Sequence, residues 1–205
     1  MYIELNESLL QEATRWLCAR DPVLHRVFRQ HGYPPLWNRA PGFATLTHII
    51  LEQQVSLASA NACFRRLQDH VGEVTPTAFL SLTDETLRAL GYSRQKIQYT
   101  RNLAAHIHDG RLDLNLLNSM ADHDVRQALT RLKGIGNWTA DIYLSECLLR
   151  PDILPQGDIA MLEACKMLYL LPHRPDHPTF VRLTEHWRPW RSVGTRLLWH
   201  HYLNR

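Results

Sequence analysis

The 205-residue sequence has no closely spaced cysteines: Cys18, Cys63, Cys147 and Cys165 each stand alone. That spacing offers neither a zinc knuckle nor a disulfide framework, and a reduced, intracellular, cytoplasmic chain is the simplest reading. No apolar run approaches the ~20 residues needed to span a bilayer, so no membrane partner is expected. The first residues, Met1 to Gln11, carry no basic stretch leading into an apolar core, and no signal peptide is expected there. Alternating strand patterns, internal repeats and low-complexity segments are missing as well. The charge is nearly balanced, with 23 Lys and Arg against 20 Asp and Glu. A net +3 permits nucleic-acid binding without demonstrating it, and a basic footprint would have to be local. Twelve histidines are present, closest at His106/His108, His173/His177 and His200/His201, but none has the accompanying ligands zinc requires. No metal site is expected from side chains.

What is present is helical spacing. Apolar residues make up 45% of the chain and charged residues 21%, enough for one sizeable core. A first helix is predicted over 7–20. Asp21-Pro22, a cap followed by proline, opens a second to about Gln30. Gly32 to Pro41 holds three prolines and reads as an ordered linker. Phe43, Leu46, Ile49 and Ile50 mark the inner face of the next helix. Ser56 caps another, with Leu57, Ala60, Phe64, Leu67 and Val71 inward. Thr75-Pro76 and Thr83 begin short helices. Ser93 opens a longer one that turns Ile97, Thr100, Ala104 and Ile107 inward and Arg94, Lys96 and Arg101 to solvent. Further helices are expected over 121–132, through an apolar stripe from Ala140 to Leu148, over 159–171, near 179–186 and near 190–203.

The chain is organised around residues 132–158. Leu132-Lys133-Gly134-Ile135-Gly136-Asn137-Trp138-Thr139-Ala140 reads as a tight turn between two helices. Gly134 and Gly136 can take backbone angles that other residues resist and let a partner come close. Asn137 or Thr139 can start the second helix, whose first amides lack intrahelical partners and suit a phosphate. Arg126, Arg131 and Lys133 lie on or beside the first helix and add positive charge. Farther on, Pro155-Gln156-Gly157-Asp158 is a loop that sets a carboxylate at a helix start, where Asp is a common N-cap. A capping carboxylate stays ionised, because helix-end amides favour its charged form.

The segments Glu52-Gln53-Gln54-Val55-Ser56, Gly134 to Ala140, Asp158 and Trp187-Arg188-Pro189-Trp190-Arg191-Ser192, in this order, resemble the helix-hairpin-helix DNA glycosylase superfamily, within it the alkyl-base branch of the 3-methyladenine DNA glycosylase II type. The resemblance runs from about residue 40 to the C-terminus. It implies an all-α fold of two helical lobes with a DNA cleft between them. One lobe would be 1–40 plus 138–205 and the other 41–133, with the hairpin over 121–149.

It further implies a monofunctional glycosylase that flips an alkylated base out of duplex DNA and hydrolyses its N-glycosidic bond, starting base excision repair. Asp158 falls at the catalytic position. Negative charge there would steady the positive sugar that forms as the base leaves, and could orient or deprotonate water. Trp138 stands where strand-cutting relatives carry a nucleophilic Lys, so no Schiff-base chemistry is expected. Trp138, Tyr143 and Trp199 would line an aromatic pocket suited to bases that methylation has made cationic. Gly134, Ile135, Gly136, Thr139 and Lys133 would grip phosphates, with a monovalent cation at the hairpin as a further implied element. Gln53 and Gln54 lie in the turn that inserts a side chain into the gap left by the flipped base. The four-cysteine cluster of some relatives is missing, so no iron–sulfur centre is expected. A monomer is expected. Two other readings fit the hairpin: a glycosylase of the same superfamily aimed at a deaminated or mismatched base, and a non-catalytic module that binds damaged DNA. Asp158 and the aromatic tail argue against the module.

Overall fold

Side-chain caps begin most of the helices. Asn6 Oδ1 accepts from Leu9 N and starts α1 (Glu7–Cys18). Asp21 accepts from the amides of Val23 and Leu24 and starts α2 (Pro22–His31). Ser56 starts α4 (Leu57–Val71), Thr75 α5 (Pro76–Leu80), Thr83 α6 (Asp84–Ala89) and Ser93 α7 (Arg94–His108), each accepting an amide three residues on. Asp158 and Asp176 do the same for α10 (Ile159–Leu168) and α11 (His177–Leu183). Uncapped by side chains are α3 (Phe43–Glu52), α8 (Asp122–Thr130), α9 (Asn137–Ile142) and α12 (Arg191–Leu203). Short 3-10 turns occupy Leu116–Ser119 and Glu185–Trp187. The computed structural model describes residues 2–205, and among these there is no β-strand. No helix among them is long and apolar enough to cross a membrane.

The chain divides into two compact units. One comprises the residues up to Asn38 together with Leu144–Arg205; the other is Arg39–Tyr143. In the first, α12 is the central element: Ser192 through Trp199 are all buried, and the helix packs on α1, α2 and α10. Arg196 is fully buried within it. Its guanidinium donates to the carbonyls of Leu36, Ser145 and Ser192 and to Ser145 Oγ. Burial lowers its pKa to about 10, against the opposing pull of the Glu146 charge.

Asp21 is the second buried charge that organises this unit. Beyond its capping bonds, its other oxygen accepts from Tyr169 Oη at 2.5 Å and Trp187 Nε1 at 2.8 Å, and meets His186 Nε2 at 2.9 Å. Burial works against the charge, but the hydrogen bonds from Tyr169, Trp187, His186 and the Leu24 amide outweigh it, and the pKa falls below the ordinary 3.8. The stability this carboxylate contributes is therefore complete above the unfolded value. It is lost as pH falls through the folded one. Asp21→Asn is expected to lower stability at pH 7 by about 1–3 kcal/mol. It should also flatten the acid limb of a plot of melting temperature against pH below about pH 4. Thermal denaturation across pH checks both.

In the second unit, α3 is apolar along most of its length and packs on α4, α7 and α9. Four sequence expectations change here. Leu57 is exposed rather than inward, because it is the first helical residue of α4, and Cys63 takes the place in the buried line. Arg101 is not turned freely to solvent: it donates to Asp84 and to the carbonyl of Leu82, joining α7 to the start of α6. Lys96 likewise reaches the Leu51 carbonyl at 2.6 Å. The predicted continuous helix from Ala140 to Leu148 is also interrupted. α9 ends at Ile142, and the chain widens into a π turn over Tyr143–Cys147, where one unit gives way to the other. The hairpin's second helix thus belongs to the Arg39–Tyr143 unit, where the Arg126–Asp141 pair and Gln53 hold it.

Candidate active site and hairpin

Asp158 is 8% exposed at the start of α10. Its Oδ1 accepts from Met161 N at 2.8 Å and from the indole Nε1 of Trp199 at 3.0 Å. The second donor comes from 41 residues away: Trp199, which the sequence marks only as a pocket aromatic, is also a hydrogen-bond partner of the acid. Trp199 is itself 8% exposed and meets the edge of Trp37, with ring centroids 6.0 Å apart. Trp37 is half-buried and holds φ +44°, a left-handed backbone rare for a bulky side chain. Its ring also lies edge-on to His200. No sequence signal picked out Trp37 as a site residue. It lies in the proline-rich linker, 162 positions from Trp199, and only the fold joins them.

The loop that presents Asp158 is fastened by the Trp187-to-Ser192 motif. Ser192 Oγ donates to the Arg150 carbonyl at 2.6 Å and accepts from Ile153 N at 2.9 Å. Arg191 grips Asp152 through Nε and Nη2, at 2.6 and 2.8 Å, and Arg188 Nη1 adds a third contact at 2.8 Å. Fork-on-carboxylate geometry of this kind fixes orientation as well as distance. Trp187 is fully buried, and its ring lies against Gly194, where any side chain would collide with it. The resemblance in this segment is therefore carried by residues that hold the Asp158 loop in place.

In the Arg39–Tyr143 unit the hairpin runs from α8 to α9. Gly134 takes φ +97°, and an added Cβ would stand 2.0 Å from the Tyr99 ring. Gly136 differs. Its backbone is extended, with φ −94° and ψ −179°, and open space surrounds the position of a Cβ. Gly136 is itself the N-cap of α9, with no side-chain cap; Asn137 is the first helical residue. The start of α9 is thus without the Asn137 or Thr139 cap that the sequence suggested. Thr139 is buried, and its hydroxyl accepts from Gln53 instead.

The remaining expected contacts are sorted by exposure. Lys133 and Arg131 are exposed beside the turn, whereas Ile135 is 4% exposed, so only its backbone is within a ligand's reach. Arg126 is not a free phosphate ligand: both its Nε and Nη2 lie on Asp141, at 2.8 and 2.6 Å, clamping α8 to α9. Trp138 is half-buried and Tyr143 is fully covered. Gln54 is exposed with φ +58°, and Gln53 is half-buried. No group of three or more His, Cys, Asp or Glu among the described residues could hold a metal ion. A cation at the hairpin would have to rest on backbone carbonyls, and that of Gly134 already accepts from Gln53.

The hairpin and Asp158 both lie within the stretch that a family model matches. The model of the HhH-GPD superfamily base excision DNA repair proteins matches residues 47–189. The chain belongs to that superfamily. A Bacillus subtilis protein provisionally named DNA-3-methyladenine glycosylase YfjP is 29% identical over 184 residues, covering 86% of this chain. The chain spans 64% of that relative's length, less than two thirds. Among solved structures, the Schizosaccharomyces pombe 3-methyladenine DNA glycosylase in complex with abasic DNA superposes with a TM-score of 0.87 at 26% identity. The match covers 92% of this chain and 95% of that one. The DNA-3-methyladenine glycosidase of Bacillus halodurans gives a TM-score of 0.78 at 29% identity, covering 98% and 92%.

Proposed function

We propose that this HhH-GPD chain is a monofunctional DNA glycosylase. It extrudes an alkylated base of the 3-methyladenine or 7-methylguanine type from duplex DNA and hydrolyses its N-glycosidic bond. The observation that carries the reading is the Asp158 carboxylate, held by a helix-end amide and an indole N–H from an aromatic pair.

The chemistry follows from that placement. Cleaving the glycosidic bond leaves positive charge on the deoxyribose, and a fixed carboxylate lowers that barrier and can take a proton from water. Holding one oxygen in place keeps the charge aligned through the reaction, with no reorganisation to supply. Trp199 and Trp37 supply aromatic faces for a cationic base. The covered Tyr143 acts in packing. The glycosidic bond of a ring-alkylated base is already weakened, so modest catalysis suffices. With Trp138 at the hairpin position there is no amine to attack the sugar, and the product is an intact abasic site.

The hairpin binds the backbone through the amides around Gly136 and the start of α9, with Lys133 and Arg131 beside them, and carries no sequence information. A monovalent cation on hairpin carbonyls would add positive charge there; no chemical step passes through it. Duplex DNA treated with dimethyl sulfate tests the activity. The expected result is release of free 3-methyladenine and 7-methylguanine, with no adduct trapped by borohydride. A folded protein that releases neither base overturns the proposal, and a trapped adduct overturns its monofunctional character.

A further inference from the structure

Gln53 sits where the chain leaves α3. Its side-chain nitrogen gives one hydrogen to the Gly134 carbonyl and the other to Thr139 Oγ1, each at 2.9 Å. One side chain thereby bridges the α3–α4 turn to the loop of the hairpin and to the first turn of α9. The Gly134 end is rigid, because that residue is seated against the Tyr99 ring. Directly beyond Gln53 the chain forms an exposed tip. Gln54 holds a left-handed φ of +58°, and Val55 and Leu57 are 45% and 52% exposed. Strained backbone and outward apolar side chains persist where surrounding structure enforces them, and apolar side chains at a tip are what opening a base stack uses.

We propose that Gln53 is a positioning residue: it locks the Gln54–Val55 tip to the hairpin, so that phosphate gripping and filling of the gap left by an extruded base are one rigid engagement. This rests on the glycosylase reading above. The hairpin alone grips intact and gapped duplex alike, since it contacts only the backbone. Filling the gap is what distinguishes the two, and a tip already ordered relative to the grip spends no ordering entropy when it inserts. Gln53 therefore acts on the ratio between gapped and intact DNA rather than on affinity in general.

The test uses the full chain with Gln53→Ala and Gln53→Glu. The second keeps size and reach but turns a carboxylate towards the Gly134 carbonyl oxygen. Affinity is measured for a duplex with a tetrahydrofuran abasic analogue and for the same duplex intact. A 2-aminopurine beside the analogue reports insertion, and hydrogen exchange reports the turn over 53–57. Both variants should bind intact duplex within about twofold of wild type and lose at least about tenfold in preference for the analogue. Exchange should rise at 53–57 while α4 and α7 keep their protection. Folded variants that retain the wild-type preference overturn the proposal. So does an equal loss on both duplexes, which is the signature of a purely structural role. Failure of the wild-type chain to release methylated bases is a separate result that sinks the activity, whereas the strut is judged by duplex preference.

Discussion

Asp158→Asn is expected to reduce single-turnover base release by about a thousandfold or more, equivalent to about 4 kcal/mol of transition-state stabilisation. The fold should survive. Asparagine is as good an N-cap as aspartate, and its amide oxygen can accept from both Met161 N and Trp199 Nε1. The substitution therefore removes the charge while keeping shape and hydrogen bonds. DNA affinity should stay level or rise, because one negative charge near a polyanion is gone. Base release measured beside binding to an abasic-analogue duplex, with a melting temperature as the fold control, checks all three. A variant with wild-type base release would show that the carboxylate is only a cap. Melting far below wild type would show that the capping geometry needs the charge.

The same residue marks how far the sequence carries. Its place at a helix start was legible because caps are local: Asp21, Ser56, Thr75, Thr83, Ser93 and Asp158 all stand where a side-chain oxygen meets an amide two or three residues away. The bond that Asp158 accepts from across the chain was not legible. Its second donor, Trp199, and the Trp37 edge against that indole come from opposite ends of the chain, and no local pattern encodes such a meeting. The partners of charged side chains are hidden from the sequence for a related reason. Arg101 and Arg126 sit on outward positions of their helices by spacing. Their long stems reach sideways to Asp84 and Asp141, and helical periodicity is blind to that reach. The widening of the hairpin's second helix into a π turn at Tyr143–Cys147 follows no residue preference that the sequence displays. The resemblance implies DNA contact for the turn that holds Gln53; the bonds of Gln53 to Gly134 and Thr139 arise only in three dimensions.

The two hairpin glycines look equivalent in sequence and are expected to respond in opposite ways. Gly134→Ala meets two obstacles. The backbone at φ +97° is unfavourable for any residue with a Cβ, at about 1–2 kcal/mol. The new methyl would also stand 2.0–2.5 Å from atoms of Tyr99, so the ring or the loop must move, at about 1–3 kcal/mol for an overpacked site. The sum, about 2–5 kcal/mol, should appear as a lowered midpoint in denaturant. Loop displacement should weaken DNA binding beyond the loss of stability, since the backbone amides of the turn move with it. Truncating Tyr99 as well should recover the packing part and leave the backbone part, which a double-mutant cycle separates. Gly136→Ala meets neither obstacle: its φ is ordinary and no atom lies within 4 Å of the new Cβ. Stability should change by less than about 0.5 kcal/mol. In the binding mode proposed above, DNA affinity should nevertheless fall about tenfold, or about 1.4 kcal/mol, because a phosphate approaches the start of α9 through that open space. Wild-type affinity in Gly136→Ala would remove the amides at this turn from the DNA-binding surface. A neutral Gly134→Ala would mean that the left-handed turn is not what shapes the hairpin.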